Sequence, residues 1–224
     1  VIISEYNMAI QGFLVKTVER IVNLNWESIH PPPKGAGRGN YLTAVTELDN
    51  RIVEIIDVEK ILSEVSPMHE EISAEVIRPE TISQASTSEL AVLIADDSSV
   101  ARKQIKRCVE KVGVKTHVVA DGRQALDHIR EIIDAGESIT DRYIMLISDI
   151  EMPEMDGYTL TASIKEDPRT QNLHVLLHTS LSGIFNEAMV KRVGADNFLA
   201  KFKPDNLADL VQERVSKALE QRSE

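Results

Sequence analysis

The second half of this chain reads as an α/β domain, five βα units around a parallel, doubly wound sheet. Three observations carry that reading. From Glu89 onward, short apolar runs alternate with amphipathic stretches of helical period. The runs are continuously apolar, as expected of strands covered on both faces. The polar residues able to do chemistry fall at the carboxyl ends of those runs, where open parallel sheets carry their sites.

The elements follow in order. Residues 90–95 form the first strand; Ser98 or Ser99 caps a helix whose Ala101, Ile105, Cys108 and Val112 share one face, and Gly113 ends it. Residues 116–119 and 124–133 make the second strand and helix, 143–148 and 160–166 the third pair, and 174–179 the fourth strand. A helix over 187–193 stops at Gly194, and 198–200 is the fifth strand. The last helix, 207–219, carries an apolar stripe of Leu207, Leu210, Val211, Val215, Ala218 and Leu219.

The first 65 residues read as mostly strand. Residues 12–15, 43–45 and 51–56 are short, β-branched and bounded by turn residues. Asp49-Asn50 reads as a hairpin turn, because both residues tolerate a left-handed backbone, and 58–65 as a short closing helix. Residues 66–88, rich in acids, Ser and Thr and without sustained periodicity, read as a linker, with Ile72, Val76 and Ile77 as a candidate brief helix. Two domains are expected, 1–65 and 89–224, joined by a linker over 66–88.

Asp96-Asp97 closes one apolar run, Asp149 another and Lys201 a third. Carboxylates held together raise one another's pKa unless a cation relieves them, and hard oxygen donors with room for water suit Mg²⁺. With Asp149 as nucleophile, the ion would touch its carboxylate and an incoming phosphoryl oxygen. Lys201 would neutralise a second oxygen, and the Thr179 hydroxyl would donate to a third. The product would be an aspartyl phosphate.

These residues closely resemble a known family across 90–219. Ile94-Ala95-Asp96-Asp97-Ser98, Ser148-Asp149-Ile150-Glu151-Met152-Pro153-Glu154-Met155-Asp156-Gly157, His178-Thr179-Ser180 and Gly194-Ala195-Asp196-Asn197-Phe198-Leu199-Ala200-Lys201 are similar to the motifs of the receiver domain of bacterial response regulators. The resemblance implies a flavodoxin-like fold with Asp149 as phosphoacceptor. It implies Mg²⁺ on Asp97, Asp149, Asp96 (directly or through water) and the Glu151 backbone carbonyl, and Thr179 with Phe198 as a switch pair. Two departures stand out. The family places proline directly after the lysine, whereas Lys201-Phe202-Lys203-Pro204 delays it, leaving Lys201 or Lys203 for the phosphate contact. Glu151 puts an acid two residues past the acceptor, where it could position or repel an attacking water.

Trp26 to Pro33, Gly39 to Val45 and Asp49 to Leu62 are similar to the C-terminal half of a CheW-like coupling domain. That resemblance implies a partial, mostly-β barrel domain with apolar surface left uncovered. Together the two halves imply a chemotaxis adaptor that joins chemoreceptors to a histidine kinase and accepts phosphate from it. A receiver acting as a phosphate sink needs the same acids. A phosphatase with an aspartate nucleophile is the competing class, since Glu151 sits where such enzymes place a general acid.

Composition bounds the partners. With 36 acidic against 25 basic residues the net charge is −11, which opposes nucleic-acid binding in the absence of a basic patch. No apolar run approaches the ~18 residues of a membrane span. One cysteine, Cys108, on the apolar side of its helix, fits a core position in a reducing, cytoplasmic setting. The chain opens at Val1 inside a strand-like stretch, with no signal peptide, and reads as a fragment. Gly35-Ala36-Gly37-Arg38-Gly39 lacks the Lys-Ser/Thr ending of a phosphate loop and reads as a loop; the six histidines show no metal-ligand spacing.

Overall fold

A computed structural model describes residues 1–6, 9–33, 41–65, 72–87, 89–179, 184–201 and 203–223. The chain divides into two compact units, Val1–His69 and Glu70–Glu224.

In the first unit, β1 (Ile2–Tyr6) pairs antiparallel with β2 (Ala9–Phe13), and β3 (Leu42–Leu48) with β4 (Arg51–Ile56). A short 3₁₀ turn, Trp26–Ser28, and helix α1 (Val58–Val65) complete it. The unit is mostly strand, as the sequence predicts, but the expected strand over 12–15 ends at Phe13. The Asp49-Asn50 turn forms as expected: both residues have positive φ, 50° and 60°, which makes the two-residue loop match the right-handed twist of β3 and β4. Among the described residues, the strands form two separate two-stranded sheets. Ile10, Leu14, Ile21 and Ile52 are exposed on them or beside them. The glycine-rich stretch over 34–40 lies outside the described residues.

The second unit is the expected βα array. Strands β5 (Ala91–Ala95), β6 (Lys115–Val119), β7 (Tyr143–Ser148), β8 (Val175–Thr179) and β9 (Asn197–Ala200) pair in the order β6-β5-β7-β8-β9, all parallel. Every side chain of β7 and β8 is buried, which accounts for their unbroken apolar runs. Helices α3 (Ser99–Lys111), α4 (Gly122–Asp134), α6 (Gly157–Glu166), α7 (Ile184–Val193) and α8 (Pro204–Ser223) connect and cover the strands. One core joins β5, β7 and β8 to α3 and α8 through Leu90, Ile94, Val109, Leu176, Val211 and Val215. The other joins the opposite face to α4 and α6 through Leu93, Ile129, Leu146, Leu160 and Ile164. Cys108 is buried as expected, and burial pushes its thiol up to about 12.

Two features depart from the sequence reading. A four-residue helix, α5 (Ile139–Arg142), precedes β7 and is too short to carry a period. The other is the segment read as a linker. Across its described part, 72–87, it is packed on the second unit: Ile72, Thr81 and Ala85 are buried and α2 (Pro79–Thr87) forms. Ile72, Val76 and Ile77 pack on the core without forming the candidate helix, which falls instead at Pro79–Thr87. Polar bonds do much of the holding, with Gln212 bridging the Arg78 amide and the Val76 carbonyl at 2.8 and 3.0 Å. Gly113, at φ +88°, turns the chain out of α3 so closely under α2 that an added Cβ would lie 2.9 Å from Ser86 Oγ and 3.1 Å from the Ile82 carbonyl.

Candidate metal and phosphoryl centre

The site is built from the ends of β5, β7, β8 and β9. Ser98 caps α3 by accepting from the Ala101 amide at 3.3 Å, which turns the chain sharply after Asp96-Asp97. The Ser98 amide donates to Asp96 Oδ1 at 2.9 Å. Arg102, one turn into α3, reaches back so that its Nη1 donates to the Asp96 and Asp97 carbonyls at 2.6 and 2.8 Å. The sequence reading missed Arg102; a cation five residues past an acid pair is its only trace. The Asp149 amide donates to the Ala95 carbonyl at 2.8 Å, locking the ends of β5 and β7 in step.

Carboxylate oxygens of Asp96, Asp97 and Asp149 lie within 4.8 Å of one another. Asp96 and Asp149 are buried, while Asp97 faces solvent. Such a set, hard oxygens with one side open to water, fits a divalent cation that keeps part of its hydration. Lys201 Nζ lies 2.7 Å from Asp96 Oδ2 and 3.0 Å from Asp149 Oδ2, and the residue is 3% exposed. Lys203 is exposed. The delayed proline has a local reason: Pro204 opens α8, where its fixed φ suits a first helical position.

The electrostatics follow from burial. Burial pushes Asp96 up to about 7, with Asp149 adding to the rise, while Lys201 and the Ser98 amide oppose it. Burial also presses the Lys201 ammonium down, but Asp96 and Asp149 together outweigh it and hold the group above its ordinary value. Thr179 is fully buried at the end of β8, and the Lys201 amide donates to its carbonyl at 2.8 Å. Phe198, half-buried on β9, is in register with Leu177 and packs with Ile150 and Val190. Glu151 is exposed in the loop after Asp149. Ser180 and Phe202 lie outside the described residues.

His178 is fully buried on β8. Burial, then the nearby Lys201 charge, holds its ring down at about 3. The unfolded chain takes up this proton near pH 6.5, so the neutral ring contributes stability that is complete above pH 6.5 and lost as pH falls toward 3. A His178→Leu chain should therefore gain on the parent by about 2.5 kcal/mol between pH 7 and pH 4.5. Urea midpoints followed by circular dichroism at the two pH values check this; an unchanged difference would refute it.

The sequence profile of the response regulator receiver domain matches residues 92–212, and that match spans the sheet and every acid just described. The chain belongs to the receiver family. Its residues 1–66 match the CheW-like domain profile, so this receiver protein carries both expected domains in the expected order. Chemotaxis protein CheV3 of Helicobacter pylori is 29% identical over all of the chain, which spans 70% of that protein. Chemotaxis protein CheV2 of the same organism is 29% identical over 95% of the chain, which spans 65% of it. The fold of the second unit is also that of a CheY-like receiver domain protein from Methanospirillum hungatei. That structure is 19% identical, with a TM-score of 0.50 over 60% of this chain and 99% of the other. Among the described residues, no helix is long and apolar enough to cross a membrane.

Proposed function

We propose that the chain is a chemotaxis adaptor of the cytoplasm whose receiver, from residue 89 onward, takes a phosphoryl group on Asp149. Its CheW-like region, residues 1–65, would join chemoreceptors to the histidine kinase that supplies the group. The observation that carries this reading is the Asp96–Lys201–Asp149 arrangement beside Asp97 at the carboxyl ends of parallel strands. The Helicobacter pylori proteins with whole-chain similarity, named as chemotaxis proteins, support the adaptor half.

In the proposed step an Asp149 carboxylate oxygen bonds to phosphorus, the phosphorus–nitrogen bond of the kinase phosphohistidine breaks, and the imidazole leaves, taking its proton from water. Mg²⁺, held by Asp96, Asp97, Asp149 and the Glu151 carbonyl, would supply charge neutralisation on the phosphoryl oxygens. Lys201 would neutralise one phosphoryl oxygen and the Thr179 hydroxyl would donate to another. Arg102 keeps the acid pair's backbone fixed while this happens. Thr179 and Phe198 would then re-seat together and carry the change outward, biasing a two-state equilibrium. The chain's own role is reception of a signal, not turnover of a substrate.

Transfer from a labelled chemotaxis kinase with Mg²⁺ tests the reading. Base-labile label is expected on the parent, and at least 100-fold less on Asp149→Asn, because the amide is a far poorer nucleophile than a carboxylate. Equal labelling of the two would remove Asp149 as acceptor.

A further inference from the structure

The face of α8 that begins at Asp205 carries a bound segment of the chain itself. The Ser73 amide and hydroxyl both donate to the Asp205 carboxylate, at 2.8 and 2.7 Å. Arg78 reaches Asp209 at 3.3 Å, one turn further along. Gln212, with no exposed surface, then uses both ends of its amide, accepting from the Arg78 amide and donating to the Val76 carbonyl. Ile72 is 6% exposed and joins the core between α3 and α8, with Val76 and Ile77 against it. This is an ordered seat for residues 72–78, fixed at three points along one helix and by an apolar anchor.

The same helix starts three residues after Lys201. Between the ammonium that bridges Asp96 and Asp149 and the carboxylate that holds Ser73 lie only 202–204, and Pro204 is stiff at φ. The acidic site and the carboxylate that seats Ser73 are thus only four residues apart along the chain.

We propose that this face of α8 is a regulated docking surface for residues 72–78, and that phosphorylation of Asp149 loosens the segment from its Ser73 end. This rests on the reading of Asp149 as phosphoacceptor. Lys201 now sits within 3.0 Å of both carboxylates. A phosphoryl group occupies one Asp149 oxygen and presents its own oxygens beyond it, so the ammonium must follow outward to remain paired. Hydrogen bonds of 2.7–2.8 Å, such as those of Ser73, are lost once donor and acceptor separate by roughly another ångström. Gln212 lies seven residues beyond Asp205, about 10 Å along the helix, so it holds Val76 and Arg78 after Ser73 has let go. Release is graded, from Ser73 toward Arg78.

Coupling is reciprocal: if phosphorylation loosens the segment, a loosened segment favours phosphorylation by the same factor. The test uses the full chain with acetyl phosphate and Mg²⁺, in which acetate is the leaving group. Intact mass reads the phosphorylated fraction, and hydrogen exchange reads the amides of 72–78. Exchange there is expected to rise about fivefold on phosphorylation, the lower end of ordinary coupling factors, with α3 and α4 unchanged. Ser73→Ala, an exposed change that removes the hydroxyl bond to Asp205 and keeps the amide bond, is expected to raise the ratio of phosphorylated to unmodified protein by less than that factor. Phosphorylation of the parent with unchanged exchange over 72–78, and an unchanged ratio in Ser73→Ala, would overturn the inference and leave the acceptor role standing. Absence of any phosphoryl group on Asp149 would overturn the acceptor role and the inference with it.

Discussion

A Lys201→Ala chain is expected to lose about 3–5 kcal/mol of stability in its second unit, the usual cost of removing one partner from a buried ion pair. The ammonium is 3% exposed, against 0% for Asp96 and 6% for Asp149, so water does not replace it readily. Two carboxylates would be left facing each other without their counter-charge. The chain has one local escape, protonation of Asp96, which burial already pushes up to about 7 in the presence of the lysine. Without the lysine that carboxyl rises further. Its folded form then holds a proton that the unfolded chain releases above about pH 4, so the burden grows as pH rises. Urea unfolding at pH 5.5 and pH 8 should show the larger loss at pH 8, and Mg²⁺ should return part of it by supplying positive charge. Adding Asp96→Asn to Lys201→Met should recover stability, because it removes a stranded charge. Lys203→Ala, at an exposed position, should stay within about 0.5 kcal/mol of the parent. Equal losses for the two lysines would mean that the buried bridge is energetically idle.

Gly157→Ala is expected to be nearly as damaging, for a steric reason. A Cβ at Gly157 would lie 2.0 Å from the Asp149 carbonyl oxygen and 3.0 Å from Ile150 Cα. Both contacts are with backbone, so no side chain can swing aside. The Gly157 amide also donates to the Ile150 carbonyl at 2.9 Å, which ties the start of α6 to the loop that carries Asp149. Making room means moving that loop by at least an ångström, and with it the carboxylate. Overpacking of this kind costs about 3 kcal/mol or somewhat more. Phosphoryl acceptance should fall at least tenfold even in the fraction that folds, since an ångström of misplacement at a reacting centre is costly. Calorimetry and acetyl phosphate labelling check the two effects separately. Near-parental values of both would mean that the loop yields more easily than its backbone contacts imply.

The sheet and its helices were legible because the sequence states them twice, once in period and once in punctuation. Runs such as 143–148 are apolar throughout, and the structure buries every residue of that strand. Ser98 and Gly113 bracket α3 as capping chemistry requires. The acids and Lys201 were legible because each closes an apolar run, and parallel strands bring such ends together. Between two lysines two residues apart the sequence favours Lys201, which closes the apolar run. Burial separates them in space, with Lys201 inside and Lys203 outside. Arg102 escaped notice because its work is done on backbone carbonyls, which have no residue identity to read. The segment 72–87 was misread for a related reason. Its partners Asp205 and Gln212 lie more than 130 residues away, and its own composition is that of a solvated connector.

The division into two units has an optical consequence. The single tryptophan, Trp26, belongs to the first unit, and the second contains none. The four tyrosines split evenly, with Tyr143 and Tyr158 in the second unit. Tryptophan emission therefore originates in the first unit alone. Tyr158, half-buried one residue into α6 with Asp156 and Glu151 close enough to act on it, is the native reporter for the acidic site. In unlabelled protein, tryptophan emission thus isolates the first unit, while tyrosine emission reports on both.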